Sequence, residues 1–338
     1  ETMETTIMKT YEQERAVAVD AVIKACRLCQ EVRSGDLFGE TMEKKDKSPV
    51  TVADFGAQGV ISLELLKAFP KDPVMAEEAL GDVQDDLKKK IISYVQRIFP
   101  AYSDQQIFSA IDRCTHTGGS SGRFWCIDPI DGTKGFLRND QYAIALALIE
   151  DGNVVLGVLG CPNLTRNLAH PNGSKGCVFI AVKDQGSWMR LLEEAREGKI
   201  SVAEAPDPTR ASFCESVESA HTSHNESSLI AARLGVINPP VRIDSQCKYG
   251  IVARGEAAIY LRIPTKPGYE EKVWDHAAGW MIIKEAGGAV TDIHGAPLDF
   301  SAGRSLSHNA GIVATNGSFH AQVVAAVEAV LKESGQQR

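Results

Sequence analysis

The chain has 338 residues, 43% of them hydrophobic and 24% charged, a composition typical of a globular protein. Its 36 basic and 44 acidic residues give a net charge of −8, without the basic excess that binding to a long nucleic acid requires. Residues 150–153 interrupt the most apolar run before it reaches the roughly 18 to 20 residues of a membrane span. We therefore expect neither a nucleic acid polymer nor a membrane as partner, and one large domain or two packed lobes.

Eight cysteines are scattered along the chain rather than packed into a small disulfide framework, which favours a reducing compartment. Cys26 and Cys29 form a CxxC pair within a helix-like run, and no second pair or histidine cluster completes a zinc site. A structural helix is the main interpretation of this pair, with redox chemistry as the alternative. The first residues lack a signal-peptide pattern, so such a segment is either absent or removed. We expect a soluble intracellular monomer, cytoplasmic or, if a transit peptide was removed, organellar.

Apolar residues at helical or alternating spacing divide the first half of the chain into predicted elements. The predicted helices cover residues 11–33, 54–69, 85–98 and 104–113. The predicted strands cover residues 73–76 and 124–127, and residues 142–160 form a β-hairpin. The first strand delivers Glu77 and Glu78 at its end, and the second strand ends at Asp128.

The second half alternates predicted strands with predicted helices, which indicates an α/β layer arrangement. The strands cover residues 178–182, 257–263 and 311–314, and the helices cover residues 277–286 and 319–331. A crossing near residues 161–163 would divide the chain into an N-terminal lobe, 1–163, and a C-terminal lobe, 164–338.

Acidic side chains recur at the ends of these predicted elements. They are Asp54, Glu77, Glu78, Asp128, Asp131 and Asp275. Magnesium prefers oxygen ligands in octahedral geometry, and phosphate-processing sites often hold two such ions. Each residue alone would be an ordinary helix cap, turn residue or solvated side chain. Only their joint pattern predicts a metal site.

Residues 128–133 read Asp-Pro-Ile-Asp-Gly-Thr, which suits a metal-binding turn. The proline fixes a backbone angle, the carbonyl of Ile130 can face a cation, and Gly132 permits a tight turn. If a helix begins near Thr133, the N–H groups of residues 132–134 form a cradle for a phosphate oxygen. The Thr133 hydroxyl can also orient a water. The alternative is a plain strand-ending turn.

Together with Trp274-Asp275 and Gly287-Gly288, these acidic residues resemble the motif of the inositol monophosphatase-like superfamily of lithium-sensitive phosphatases. The resemblance implies a layered α/β/α/β/α sandwich, also seen in fructose-1,6-bisphosphatase, with an α+β lobe that carries the metal site and an α/β lobe. It implies two to three magnesium ions, and Asp54 and Thr133 as the pair that activates a water. The implied metal ligands are Asp54, Glu77, Asp128, the carbonyl of Ile130, Asp131 and Asp275.

Three longer segments, residues 47–54, 131–138 and 244–249, are similar to the 3′(2′),5′-bisphosphate nucleotidases of yeast and plants. This resemblance implies hydrolysis of 3′-phosphoadenosine 5′-phosphate to AMP and phosphate, with the 5′-phosphosulfate as a second substrate and a place in sulfur metabolism. Lys248 and Arg262 would neutralise the 5′-phosphate. The implied substrate contacts are Asp131, Gly132, Thr133, His221, Ser245, Lys248, Arg262 and Asp275.

Three other interpretations stay open at the level of sequence. An inositol phosphate phosphatase would share the catalytic motif and differ only in the wall that contacts the substrate. A non-catalytic nucleotide sensor would keep His221, Lys248 and Arg262 but would not need the metal ligands. Redox control through the cysteines could accompany catalysis.

Overall fold

The computed structural model describes residues 10–35, 41–43, 49–81, 83–217, 224–266 and 268–335. The helices are α1 (Glu12–Ser34), α2 (Val52–Ala68), α3 (Asp85–Ile98), α4 (Asp104–Asp112), α5 (Thr133–Leu137), α6 (His224–Arg233), α7 (Cys247–Ala253), α8 (Ala277–Glu285) and α9 (His320–Glu333). The strands are β1 (Thr41–Glu43), β2 (Pro49–Thr51), β3 (Val74–Ala76), β4 (Arg123–Asp131), β5 (Ala143–Glu150), β6 (Asn153–Thr165), β7 (Lys175–Val182), β8 (Gly186–Leu191), β9 (Gly198–Ile200), β10 (Phe213–Glu215), β11 (Val241–Arg242), β12 (Ile259–Arg262), β13 (Ala289–Thr291) and β14 (Ile312–Thr315). Within these ranges, no helix has the length and apolar character needed to cross a membrane.

The larger sheet contains seven strands in the order β3-β4-β5-β6-β7-β8-β9. Strands β3 and β4 are parallel, and each later neighbour pairs antiparallel. In β5, Ile144 and Leu146 pack against α1 and α2, whereas Ala145 and Ala147 contribute to a second core that contains α7 and α8. Alternate side chains of a strand point to opposite faces, so a sheet covered on both faces needs this continuous apolar run.

The smaller sheet contains five strands in the order β11-β10-β12-β14-β13. Tyr260 and Ala314 contribute to the core with α7 and α8, while Leu261 and Val313 join a third core with α6 and α9. The layers therefore run from α1 and α2 through the larger sheet, α7 and α8, and the smaller sheet to α6 and α9. This order confirms the predicted α/β/α/β/α sandwich.

Most of the predicted elements are present, with instructive differences at their ends. Helix α2 begins at Val52, before Asp54, because the Thr51 hydroxyl accepts a hydrogen bond from the Ala53 N–H and caps the helix. The prediction that the buried strand ends at Asp128 was wrong, since β4 continues to Asp131 through an irregularity in its pairing. Strand β6 spans residue 163, and β7 to β9 extend the same sheet. The division into lobes stays a prediction.

Gln58 is a fully buried polar residue of α2 that fixes the chain where β3 ends. Its side-chain nitrogen donates to the carbonyls of Glu78, at 2.8 Å, and Ile111, at 3.2 Å. Its side-chain oxygen accepts from the Glu78 N–H at 3.1 Å. The backbone next to Glu77 is therefore tied to the core by a side chain rather than by a continuing strand.

Replacing Gln58 by Met should lower the free energy of unfolding by about 2–4 kcal/mol, because three buried backbone groups lose their partner. Urea denaturation measures this change. The matched control is Gln96→Met in α3, where the partly exposed Gln96 amide donates to the Tyr102 carbonyl and to Asp104. Water can replace those bonds, so we expect the control to cost less than about 1 kcal/mol. Equal losses in both variants would contradict the role of Gln58.

Candidate active site

The parallel pairing of β3 and β4 places two acidic residues at one edge of the larger sheet. Ala76 lies beside Ile127 in the register, so the residues that follow them, Glu77 and Asp128, emerge at the same edge. Asp128 is buried, whereas Glu77 is partly exposed. Parallel neighbours run in the same direction, so the residues that follow a register pair lie side by side, which explains how residues 51 positions apart in the sequence meet.

A β-bulge brings Asp131 to the side of the sheet that Asp128 faces. Asp128 pairs with Ala145 and Asp131 pairs with Ala143, so a three-residue step in β4 lies opposite a two-residue step in β5. Residues three apart in a regular strand point to opposite faces. The extra residue in β4 turns Asp131 to the face on which Asp128 lies. Gly132 follows with a φ of 87°, in the left-handed region that favours glycine.

Asp54 reaches the same region from the first turn of α2. Its Oδ2 accepts hydrogen bonds from the Thr51 N–H, at 2.8 Å, and the Thr51 hydroxyl, at 2.6 Å. Its Oδ1 lies 3.3 Å from the Thr133 hydroxyl oxygen, which is also 3.3 Å from the carbonyl of Ile130. The structure therefore brings together Asp54 and Thr133, the two residues for which the sequence predicts water activation.

Electrostatic coupling shows that Asp275 belongs to the same cluster. Burial raises the pKa of Asp275 to about 7; Arg262 opposes this rise, whereas Asp131 and Glu77 add to it. Burial also raises the pKa of Asp131, and Glu77 adds to this rise. Lys248, Arg262 and a 2.5 Å hydrogen bond from the Gln246 N–H oppose it. Glu77 thus destabilises the charges of Asp131 and Asp275, and Asp131 destabilises that of Asp275.

This donor set fits a magnesium site. Buried carboxylates that raise one another's pKa gain most from a divalent cation, and carboxylate oxygens are the ligands that magnesium prefers. A second group, Glu271, Asp275 and His276, has ligand atoms within 4.8 Å of one another. We interpret it as an ion-pair network, because an arginine already neutralises Glu271.

That arginine is Arg262, whose Nε lies 2.8 and 2.9 Å from the two carboxylate oxygens of Glu271. The nearer of these oxygens, Oε2, is also 3.1 Å from the His276 Nε2, and the His276 Nδ1 is 2.8 Å from the Tyr249 hydroxyl. The Arg262 Nη2 lies 3.4 Å from an oxygen of Asp275. A chain of hydrogen bonds thus runs from Tyr249 in α7, in the middle helical layer, to Asp275 in the carboxylate cluster.

The segment before α7 closes over the turn of residues 131–133. The Gln246 N–H donates to Asp131, and the Arg138 guanidinium donates to Asp244 at 2.5 Å. A Cβ atom on Gly132 would lie only 3.0 Å from the Cβ of Ser245, so this contact also requires glycine. Ser245 itself has a φ of 65°, an uncommon value for serine.

Lys248 lies buried beneath this segment, and the structure thereby brings a second cation to the cluster. Its Nζ donates to the carbonyl of Ile243 at 3.3 Å and lies 5.3 Å from the centre of the Tyr260 ring. Burial lowers the pKa of Lys248.

The roles predicted for Lys248, Arg262, Ser245 and the metal ligands stay predictions, and His221 lies outside the described residues.

The sequence analysis missed Gln246, Glu271 and His276 as parts of this site. Gln246 stands in the segment 244–249 that carries the family resemblance, which was the available signal. Glu271 and His276 flank Trp274-Asp275, but nothing in their spacing shows whether their side chains form a buried ion pair or are exposed to solvent.

Acid should weaken the pair of Arg262 and Glu271. Burial alone would raise the pKa of Glu271, but Arg262 and His276 outweigh it and lower the pKa from 4.5 to about 2. A lowered folded-state pKa stabilises the protein above the unfolded value, and this stability is lost as pH falls from 4.5 toward 2. Glu271→Gln should therefore cost about 3 kcal/mol at pH 7.

Urea denaturation in metal-free buffer at several pH values measures this effect. The difference between wild type and Glu271→Gln should shrink by about 1.4 kcal/mol per pH unit below 4.5. The control Glu194→Gln removes an exposed ion pair with Arg166, and it should cost less than about 1 kcal/mol at pH 7. A pH-independent difference for Glu271→Gln would contradict the assignment.

Comparison with known proteins identifies the family. The model of the inositol monophosphatase family matches residues 10–332. A 3′(2′),5′-bisphosphate nucleotidase of Oryza sativa is 45% identical, with 96% of each chain covered. The 3′(2′),5′-bisphosphate nucleotidase 1 of Arabidopsis thaliana is 46% identical over 82% of this chain and 84% of its own.

Solved structures show the same fold. The Thermotoga maritima IMPase superposes with a TM-score of 0.67 at 23% identity, covering 95% of this chain and 99% of its own. The family is metal-dependent, which agrees with the cluster of carboxylates at the ends of β3 and β4. The chain belongs to the inositol monophosphatase family.

Proposed function

We propose that the protein is a magnesium-dependent phosphomonoesterase that removes the 3′-phosphate of 3′-phosphoadenosine 5′-phosphate and releases AMP. The 5′-phosphosulfate analogue is its second substrate. The observation that carries the proposal is a cluster of interacting carboxylates, Glu77, Asp131 and Asp275. The charges of Lys248 and Arg262 act on the same cluster. The names of the relatives support the choice of a nucleotide bisphosphate.

Two to three magnesium ions are proposed for this cluster. Their ligands would be Asp54, Glu77, Asp128, the carbonyl of Ile130, Asp131 and Asp275. When bound, magnesium supplies positive charge to the phosphoryl oxygens and to the leaving oxygen, and makes a nearby water more acidic. The carboxylates that would hold the ions fix the position of this positive charge.

The water is oriented by residues of the chain. The Thr133 hydroxyl donates its proton toward Asp54 Oδ1, which turns the lone pairs of the hydroxyl oxygen toward the water. Asp54 can serve in this way because Thr51 holds its other oxygen. The water then attacks the 3′-phosphorus in line, opposite the leaving 3′-oxygen, and the protein acts mainly by positioning.

Two positively charged side chains, Lys248 and Arg262, bind the 5′-phosphate of the substrate. Lys248 and Arg262 both act on the Asp131 carboxylate from the C-terminal half of the chain. Arg262 is held at Nε by Glu271, and within the described residues its Nη2 makes only long contacts, 3.4 Å to Asp275 and 3.4 Å to the Tyr269 hydroxyl. That end of the guanidinium can therefore turn to a second phosphate, which a substrate with one phosphate lacks.

A panel of substrates tests the proposed activity. Phosphate release should be fastest with 3′-phosphoadenosine 5′-phosphate and its phosphosulfate analogue, at least tenfold slower with inositol 1-phosphate, and absent when a chelator removes magnesium. Inositol 1,4-bisphosphate tests whether two phosphates suffice. Millimolar lithium should depress turnover by replacing one labile magnesium without its full charge. Preference for inositol 1-phosphate, or release without magnesium, would reject the proposal.

Replacing Asp54 by Asn should reduce kcat by about 10²–10⁴-fold, because the amide no longer fixes the proton of the Thr133 hydroxyl. Binding of 3′-phosphoadenosine 5′-phosphate, measured by calorimetry, should change by less than about threefold. Asn still accepts capping hydrogen bonds, so the fold should persist. Gln106→Ala at the equivalent position of the α4 capping box is the matched control and should keep full turnover. Unchanged turnover in Asp54→Asn would reject the catalytic role of Asp54, whereas ligand binding without any turnover in wild type would favour a nucleotide sensor.

A further inference from the structure

Arg304 lies between the two segments of the chain that carry Glu77 and Asp275. Its Nη2 donates to the carbonyl of Ala76 at 2.6 Å, and its Nη1 donates to the carbonyl of His116 at 3.1 Å. Its guanidinium carbon lies 4.7 Å from the centre of the Trp274 ring. One side chain thus contacts the residue before Glu77 and the residue before Asp275.

The backbone around Arg304 strengthens this connection. The carbonyl of Arg304 accepts from the Val273 N–H at 3.1 Å, and the Leu306 N–H donates to the carbonyl of Glu271 at 2.8 Å. On the other side, a Cβ atom on Gly118 would lie 2.6 Å from the carbonyl oxygen of Gly303. The loop that carries Arg304 therefore packs against both halves of the site.

The charge of Arg304 also acts on the cluster. Burial lowers the pKa of its guanidinium, whereas Cys126, Cys114 and Glu77 oppose that shift. A guanidinium remains protonated in proteins, so Arg304 is a permanent cation near Glu77. It offsets part of the repulsion between Glu77 and the other carboxylates while no metal is bound.

We propose that Arg304 is a positioning residue that sets the separation of Glu77 and Asp275 and thereby the affinity of the site for divalent cations. The inference rests on the proposed function, which takes these two carboxylates as metal ligands. A planar guanidinium can donate to two carbonyls and stack on an indole ring at once, and a lysine ammonium cannot reproduce this geometry.

Replacing Arg304 by Met tests the proposal, with Arg254→Met as the matched control. Arg254 also donates to a carbonyl, that of Thr165 at 2.9 Å, and lies 5.9 Å from the centre of the Phe179 ring. It contacts none of the proposed metal ligands in the described part of the chain. Arg254→Met also loses the ion pair with Glu256, so it should perturb the fold at least as much as Arg304→Met, yet only Arg304→Met should disturb the site.

The main measurement is calorimetric binding of Mn²⁺, as a probe for divalent cations, in the absence of substrate. We expect the Kd to rise at least tenfold in Arg304→Met and less than twofold in Arg254→Met. With saturating magnesium, Arg304→Met should keep a KM for 3′-phosphoadenosine 5′-phosphate within threefold of wild type. Arg304→Lys, which keeps the charge, should raise the Kd at least threefold and carries the test if Arg304→Met does not fold.

Wild-type affinity for Mn²⁺ in both Arg304 variants would overturn the proposal, as would equal weakening in Arg254→Met. The proposed function fails separately, if the wild-type protein binds Mn²⁺ but releases no phosphate from 3′-phosphoadenosine 5′-phosphate.

Discussion

The constraint on which the site depends is electrostatic repulsion between partly buried carboxylates. Glu77, Asp131 and Asp275 come from three distant parts of the chain; Glu77 disfavours the charges of the other two, and Asp131 disfavours that of Asp275. An unfolded chain would separate them, so the rest of the fold must hold them together against this repulsion. A cation bound at the proposed site would relieve this repulsion as well as add attraction.

The fold holds these residues with backbone geometry and buried hydrogen bonds rather than with flexible side chains. Parallel pairing of β3 and β4 places Glu77 beside Asp128, a bulge turns Asp131 to the same side, and a helix cap anchors Asp54. The bulge is a departure from regular secondary structure, and the surrounding core must offset its cost. The core here is large, with three packed layers of helices around two sheets.

Local patterns in the sequence predicted most of the helices and strands, because apolar periodicity reflects burial directly. They also grouped the acidic residues as one metal site, which stays a prediction, and Asp128 was expected to end a strand that continues to Asp131. What periodicity cannot show is pairing across the fold. Glu271 reads as a surface residue in the sequence, and it can be buried because Arg262, at the end of β12, supplies its counter-charge.

This long-range pairing explains how one site can hold both signs of charge. The Arg262 guanidinium is bound to Glu271 at Nε, so its charge is partly neutralised in the resting protein and does not compete fully with a metal at Asp275. An arginine without that partner would pair tightly with Asp275 and compete with a cation there. On the proposed assignment of Asp275 as a metal ligand, Glu271 would serve the site indirectly: by occupying one side of Arg262, it would leave the carboxylate of Asp275 available to a divalent ion.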